Sequence, residues 1–210
     1  MDEKKELFKE FDNHLMKDKK PSTYFNEKYE TGLFKNIYPF TLLGKLAETE
    51  QSAKYHPEGS VWNHTMLVVD KAAEVKTKSE EPKEFMWAAL LHDIGKAPTT
   101  KIRRGRITSY DHDKVGEKLS IQFLRELTQD EVFIYKVSKL VRWHMQTLFV
   151  VKQLPFADIS TMCKETNFNE VALLSLCDRV GRGKMSEGKF EEEKMVIEGF
   201  LKKCEENVTK

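Results

Sequence analysis

Six histidines punctuate the chain, His14, His56, His64, His92, His112 and His144, and two of them, His92 and His112, are followed at once by an acid. In "ALLHDIGKAPTT" an apolar run closes on His92 and Asp93, then on Gly95, Lys96 and Pro98. An imidazole beside a carboxylate at the end of a hydrophobic helix suits a metal ion. Neighbouring helical residues point about 100° apart, so both side chains reach one ion only if it lies in the wedge at the helix end. Gly95 removes side-chain bulk there, and Lys96, within one turn, brings an ammonium toward any anion such an ion binds. The doublet reads as a metal clasp with a phosphate handle beside it.

Asp178 poses the complementary question. Its helix, "EVALLSLCDRV", is apolar on nearly every side, so an unpaired carboxylate there would cost roughly several kcal/mol or give up its charge. Two partners are open to it: a buried salt bridge with Arg179 or Arg182, or a metal ion. His144 continues the core row of Phe133, Val137, Leu140 and Val141 at helical spacing. Taken singly, His64, His112 or His144 reads as a satisfied core histidine; taken with Asp93 and Asp178, they point to a shared cation. His14 lies beside the stripe of the first helix and faces solvent. His56, in the turn "YHPEG", either lines the same pocket or has a local structural role.

Helices must carry these groups. Leu7, Phe8, Phe11 and Leu15 recur at helical spacing, and "KPSTYF" starts a second helix that ends near Thr31 and Gly32. Ser60 is the expected N-cap of a helix from Val61 to about Val75. Pro82 opens a helix with no polar face, the pattern of a segment buried all round, with Gly95 as its expected C-terminal stop and Pro98 in support. Val115, Leu119, Phe123 and Leu127 mark another helix, Phe133 to His144 the next, and 155–164 and 169–180 two more. Ile197, Phe200, Leu201 and Cys204 give a final amphipathic helix after the Gly-rich "GRGKMSEGKF". The stretch "TTKIRRGRITSYDHD" is either a short hairpin or a basic loop. The class is therefore all-α, with Trp62, Trp87 and Trp143 as packing residues.

Composition narrows the partners. Lys and Arg number 35 against 34 Asp and Glu, a net charge of +1 over 210 residues. No global field recruits nucleic acid or a membrane, so any polyanion site must be a local patch. Cys163, Cys177 and Cys204 form no CxxC pair, which fits a reducing compartment, and a cytoplasmic location is expected. No apolar stretch approaches the roughly 20 residues that span a bilayer, so no membrane segment is expected.

His64, the His92–Asp93 doublet and Asp178 together resemble the H...HD...D signature of the HD-domain metal-dependent phosphohydrolases, an all-helical family. The likeness is closer still to the C-terminal HD portion of bacterial tRNA nucleotidyltransferases. "YHPEGSVWNHTMLVVD", "WAALLHDIGKAPTT", "GRITSYDHDKVG", "LVRWHM" and "CDRVGRG" stand in the order expected there, and "KPSTYFNEKYETGLFKNIYPF" is similar to the preceding helical segment. The resemblance implies an HD-domain helical bundle over 51–188, an N-terminal helical extension over 1–50 and a C-terminal helix over 189–210. Two departures stand out. The chain shows neither the Gly-Ser turn nor the paired metal-binding carboxylates of a nucleotidyltransferase domain, so CCA addition is not expected from it alone. "SYDHD" replaces the Gly-His-Glu frequent in relatives, which leaves His112 in place.

The resemblance implies that His64, His92, Asp93 and Asp178 hold a divalent ion (Mn, Ni, Fe, Co, Zn or Mg suit a mixed imidazole and carboxylate set). It puts His112 and His144 where relatives bind a second ion, so one or two ions are expected. Water acidified by the ion would attack phosphorus, with Asp93 orienting or deprotonating it and Lys96 stabilising the phosphoryl oxygens. Arg103, Arg104 and Arg106 either grip further phosphates of a nucleotide or form a solvated charge run, and Arg106 is the one expected to touch substrate. Arg182 either contacts substrate or complements a helix C-terminus. The activity implied is hydrolysis of a nucleotide or RNA-end phosphate, a 2',3'-cyclic phosphodiester or a phosphomonoester. The alternatives are a non-catalytic RNA-binding or assembly module related to tRNA nucleotidyltransferase, with tRNA as partner, and a regulatory nucleotide hydrolase.

Overall fold

The computed structural model describes residues 3–183 and 185–209. In chain order the helices are α1 (Glu3–Lys17), α2 (Ser22–Glu30), α3 (Leu33–Asn36), α4 (Thr41–Gly44), α5 (Val61–Val75), α6 (Pro82–Leu91) and α7 (Lys96–Thr99). Two short strands follow, β1 (Lys101–Arg103) and β2 (Arg106–Thr108), then α8 (His112–Arg125), α9 (Glu131–Trp143), α10 (Gln146–Val151), α11 (Ile159–Glu165), α12 (Phe168–Val180) and α13 (Glu187–Val208). The class is all-α, a helical bundle with one antiparallel hairpin among the described residues. None of its helices is long and apolar enough to cross a membrane.

Helix α6 is the axis. Every residue from Phe85 to Leu91 is buried because α1, α5, α9 and α12 pack around it, which is why its sequence has no polar side. The apolar stripe of α1 lies on it: Phe8 stacks on Trp87 at 5.0 Å between ring centroids, and Phe11 lies 6.3 Å from the same indole. The Trp87 indole N–H is satisfied by Asp12 at 3.0 Å. Trp62 and Trp143 are packed in the same way, with their N–H groups donating to Asn26 and Glu165. Ser60 caps α5 by accepting from the Asn63 N–H, as its position predicts. His14 departs from expectation: it is half-buried, stacked on Tyr24 at 3.7 Å and paired with Asp18.

Gly95 does not end α6 in the way its sequence position predicts. Its φ is −74, a right-handed value open to any residue, and α6 already ends at Leu91. The reason for a glycine is contact: a Cβ there would lie 2.0 Å from the His112 carbonyl oxygen and 2.6 Å from the Gly116 nitrogen. The turn after α6 thus presses backbone to backbone on the start of α8. Pro98 falls inside the short helix α7 instead of following a stop.

Three further differences have physical causes. Helix α10 has no apolar stripe to betray it, because its buried side includes Gln146, whose amide donates to the Phe156 carbonyl and accepts from the Asp158 N–H. Helix α11 starts at Ile159, not at Pro155, once Asp158 accepts from the Thr161 N–H. Helix α13 begins inside the Gly-rich stretch because Ser186 caps it; Lys184 of that stretch lies outside the described residues. The basic segment resolves as a hairpin, with Ile102 opposite Ile107 and a two-residue turn at Arg104 and Gly105.

Two glycine replacements should therefore diverge. Gly95→Ala must displace the start of α8 and is expected to destabilise by about 1–3 kcal/mol. Gly199→Ala, exposed within α13 with nothing near its Cβ, is expected to be neutral or to stabilise by up to about 1 kcal/mol. Urea unfolding of both variants measures the contrast.

Candidate metal centre

The six candidate ligands arrive on five helix ends. His64 lies in the first turns of α5, His92 caps the C-terminus of α6 with Asp93 next to it, His112 opens α8, His144 caps the C-terminus of α9, and Asp178 sits in the last turn of α12. All six are buried, His64 and His92 completely and Asp93 to within 1%. Asp93 is the middle of the group. Its Oδ2 faces His92 Nε2 at 3.3 Å and His64 Nε2 at 3.8 Å, while its Oδ1 faces His112 Nε2 at 3.5 Å and His144 Nε2 at 3.9 Å. Asp178 Oδ1 lies 3.0 Å from His64 Nε2. Two donor sets share the one carboxylate: His64, His92 and Asp93, and Asp93, His112 and His144.

Backbone carbonyls fix which ring nitrogen looks inward. Nδ1–H of His92 donates to Ala89 O at 2.9 Å, that of His112 to Ser109 O at 2.7 Å and that of His144 to Val141 O at 2.7 Å. These partners assign the tautomer and leave each Nε2 lone pair aimed at the centre. Nε2 of His112 and Nε2 of His144 then face each other at 3.2 Å, two acceptors with no hydrogen between them. Among the described residues His92 Nε2 and Asp93 Oδ2 are buried with no hydrogen-bond partner. A cation in each of the two donor sets satisfies these atoms, so the residues fit a divalent metal.

Other groups close the site. Lys96 Nζ lies 2.7 Å from Asp93 Oδ2 but off the line of a hydrogen bond, and donates instead to Gln51 Oε1 at 2.7 Å. Arg182 reaches Asp178 Oδ1 at 3.2 Å, whereas Arg179 turns away to Glu193. Of the two salt bridges open to Asp178 in the sequence, the Arg182 pair forms, and it forms beside His64. The His56 ring lies 4.8 Å from that of His64. Arg106 stands apart on the exposed face of β2 and, among the described residues, touches none of these groups.

Two residues of this site do not stand out in the sequence. Glu58 Oε1 lies 2.9 Å from His56 Nδ1 and 2.8 Å from His64 Nδ1, behind the imidazole that faces Asp178. Gln51 receives Lys96, and its own Nε2 is buried without a partner. Glu58 occupies a turn where an acid reads as solvated. Gly59, which follows it, holds φ +96 immediately before the Ser60 cap, and that glycine is the available signal of a reversal.

The charges are set by mutual contact. Burial opposes the ionised form of Asp93, yet Lys96, His92 and His112 hold it well below the usual carboxylate range; Arg182 and His64 do the same for Asp178. Burial likewise works against Glu58, but the imidazoles of His56 and His64 beside it bring it down to about 2. His64 is raised despite burial, by Asp178 and Glu58. Burial, then His112 and His92, lowers His144 to about 4, so it is neutral at pH 7. The unfolded imidazole titrates near 6.5 and takes the proton that folded His144 refuses. Its contribution to stability is full above pH 6.5 and is lost as pH falls from 6.5 toward 4. Chelator-treated protein should lose melting temperature across that window, and His144→Gln should flatten the fall; an equally steep fall in the variant excludes His144 as the cause.

The profile of the HD domain matches residues 61–181, more than half of the chain. A multifunctional CCA protein of Neisseria meningitidis is 30% identical over 165 residues, 77% of this chain and 36% of that protein. Multifunctional CCA proteins of Mannheimia succiniciproducens and Actinobacillus pleuropneumoniae are 34% and 35% identical over 116 and 81 residues, 54% and 39% of this chain and 25% and 19% of theirs. The chain thus spans between 19% and 36% of the length of these relatives. On the breadth of the profile match, the chain belongs to the HD-domain family, a superfamily of metal-dependent phosphohydrolases.

Proposed function

We propose that the chain is a metal-dependent phosphohydrolase acting on nucleotide or RNA-end phosphates, with a 2',3'-cyclic phosphodiester or a terminal phosphomonoester as substrate. The observation that carries this reading is Asp93, a fully buried carboxylate with two imidazole nitrogens opposite each oxygen and unpartnered acceptor atoms between them. In the proposed site His64, His92, Asp93 and Asp178 hold one divalent ion, and Asp93, His112 and His144 a second. Such ions supply Lewis-acid polarisation of phosphoryl oxygens and acidify water for attack on phosphorus.

The surrounding side chains then have separate tasks. Lys96 swings from Asp93 and Gln51 to a phosphoryl oxygen, and Arg182, whose buried Nε lacks a partner, donates to a second. Glu58 keeps the His64 ring turned so that Nε2 faces Asp93 and Asp178. His56, on the open side of Glu58, lines the mouth. The RNA end as substrate is supported by the likeness to tRNA nucleotidyltransferases and by the CCA proteins among the relatives. A module that only binds RNA has no physical use for a buried set of imidazoles and acids, whose desolvation is costly unless something fills the space between them.

Metal analysis should find at least one equivalent of a divalent transition ion, and the loaded protein should hydrolyse bis-p-nitrophenyl phosphate or a 2',3'-cyclic nucleotide. His92→Ala and Asp93→Ala should each lower turnover at least 100-fold with loss of the ion. Absence of turnover with Mn, Ni, Co and Mg alike would exclude the reading. Glu58→Gln should weaken metal affinity about 10- to 100-fold while leaving the fold intact; an unchanged titration removes Glu58 from its positioning role.

A further inference from the structure

The β1–β2 hairpin carries Lys101, Arg103, Arg104 and Arg106, and the chain has no acidic residue between Lys96 and Asp111. The period of two along a strand puts Lys101 and Arg103 on one face, and register sets Arg106 directly opposite Arg103. Three cations therefore share a face, with Ile102 and Ile107 on the other. Like charges directly opposed in a ladder are destabilising. The fold does nothing to relieve them: among the described residues the side chains of Lys101, Arg104 and Arg106 have no hydrogen-bond or ion-pair partner, and Arg103 lies over the Tyr110 ring at 4.9 Å. Other surface cations, Lys71, Arg125 and Lys194 among them, have acids for partners. Arg104 also holds φ at 50 in a turn position where asparagine or glycine is the easier choice.

Exposed aromatic and apolar surface accompanies the charge. Tyr110 is 60% and Ile102 75% exposed. The hairpin is fastened to the metal centre at its base, where the Thr100 and Ser109 hydroxyls meet at 2.7 Å and the Ser109 carbonyl accepts from His112 Nδ1–H. A ribbon of cations without acidic partners, ending in an exposed ring that already holds Arg103 on its face and rooted on a candidate metal ligand, matches the way proteins hold single strands, with cations along the backbone and a ring beneath a base.

We propose that this hairpin docks a single strand of RNA, its cationic face following the phosphates and Tyr110 stacking on a base, so that the end of the strand is presented to the metal centre. Presentation of that end rests on the phosphohydrolase reading; docking of the strand does not. A duplex hides the base faces that Tyr110 needs, so a single strand is the partner.

Anisotropy of a labelled twelve-nucleotide single-stranded RNA, titrated with the full chain in chelator, tests this. Four phosphate contacts predict a slope of log affinity on log salt of about −2.8, and Lys101→Gln/Arg103→Gln/Arg104→Gln should weaken binding at least tenfold and bring the slope to about −0.7. Tyr110→Ala should weaken binding about fivefold or more with the slope unchanged. Removing three exposed cations elsewhere, Lys35→Gln/Lys45→Gln/Lys202→Gln, should leave the affinity within twofold. Wild-type affinity in the hairpin variant, equal loss in the control variant, or binding to phosphatidylserine vesicles with none to the strand would overturn the proposal. Hydrolysis of bis-p-nitrophenyl phosphate by the metal-loaded wild type is read alongside. Strand binding without hydrolysis sinks the hydrolase reading and leaves the hairpin surface standing; hydrolysis without strand binding does the reverse.

Discussion

A carboxylate with almost no access to water has to be compensated by its neighbours, and Asp93 imposes that condition on the whole bundle. Its two oxygens are met by imidazoles from four other positions, and Lys96 closes the remaining side. The imidazoles are in turn oriented by backbone carbonyls and by Glu58. Each partner needs a helix end at a set place, because a helix terminus is where backbone groups are free and a side chain can point along the axis into a shared space. The apolar character of α6 follows from the same demand, since it must run through the centre of the bundle to deliver His92 and Asp93 at the far end of that run.

Close approach does the rest of the positioning. The Gly95 backbone against the start of α8 fixes how far His112 stands from Asp93, and a methyl group in that gap has nowhere to go. At the other side Gly181 lets the end of α12 lie on Val68 of α5, which brings Asp178 beside His64. The two donor sets thus rest on different helix pairs, one on α5 and α12 and the other on α8 and α9; they share Asp93, and the Ser175 hydroxyl of α12 ties the pairs together by donating to the His144 carbonyl.

Much of this was readable in the chain. The start of α5 at Ser60, the start of α6 at Pro82 and the inward direction of His144 all follow from capping chemistry and helical spacing, and the bundle has those features. Grouping His64, His92, Asp93, His112, His144 and Asp178 needed the order of several motifs together, because any one buried histidine has an ordinary core explanation. What escaped did so for local reasons. Gln146 hides α10 by turning an amide inward, Ser186 starts a helix within a glycine-rich stretch, and Glu58 becomes part of the site only after a left-handed turn reverses the chain. Gly95 is legible as a stop and as a gap in side-chain bulk beside the doublet, whereas the backbone contact with α8 that forbids a Cβ belongs to tertiary packing.

Donors spread over helix termini also tie the architecture to its cargo. His64 and Asp178 are 114 positions apart, with the other donors strung between them. Ions held by the two donor sets would act as non-covalent cross-links that close long loops of the unfolded chain, and the free energy of coordination would become free energy of folding. Occupancy and rigidity then rise and fall together, and hydrogen-exchange protection in the five helices that meet there becomes a gauge of how full the site is.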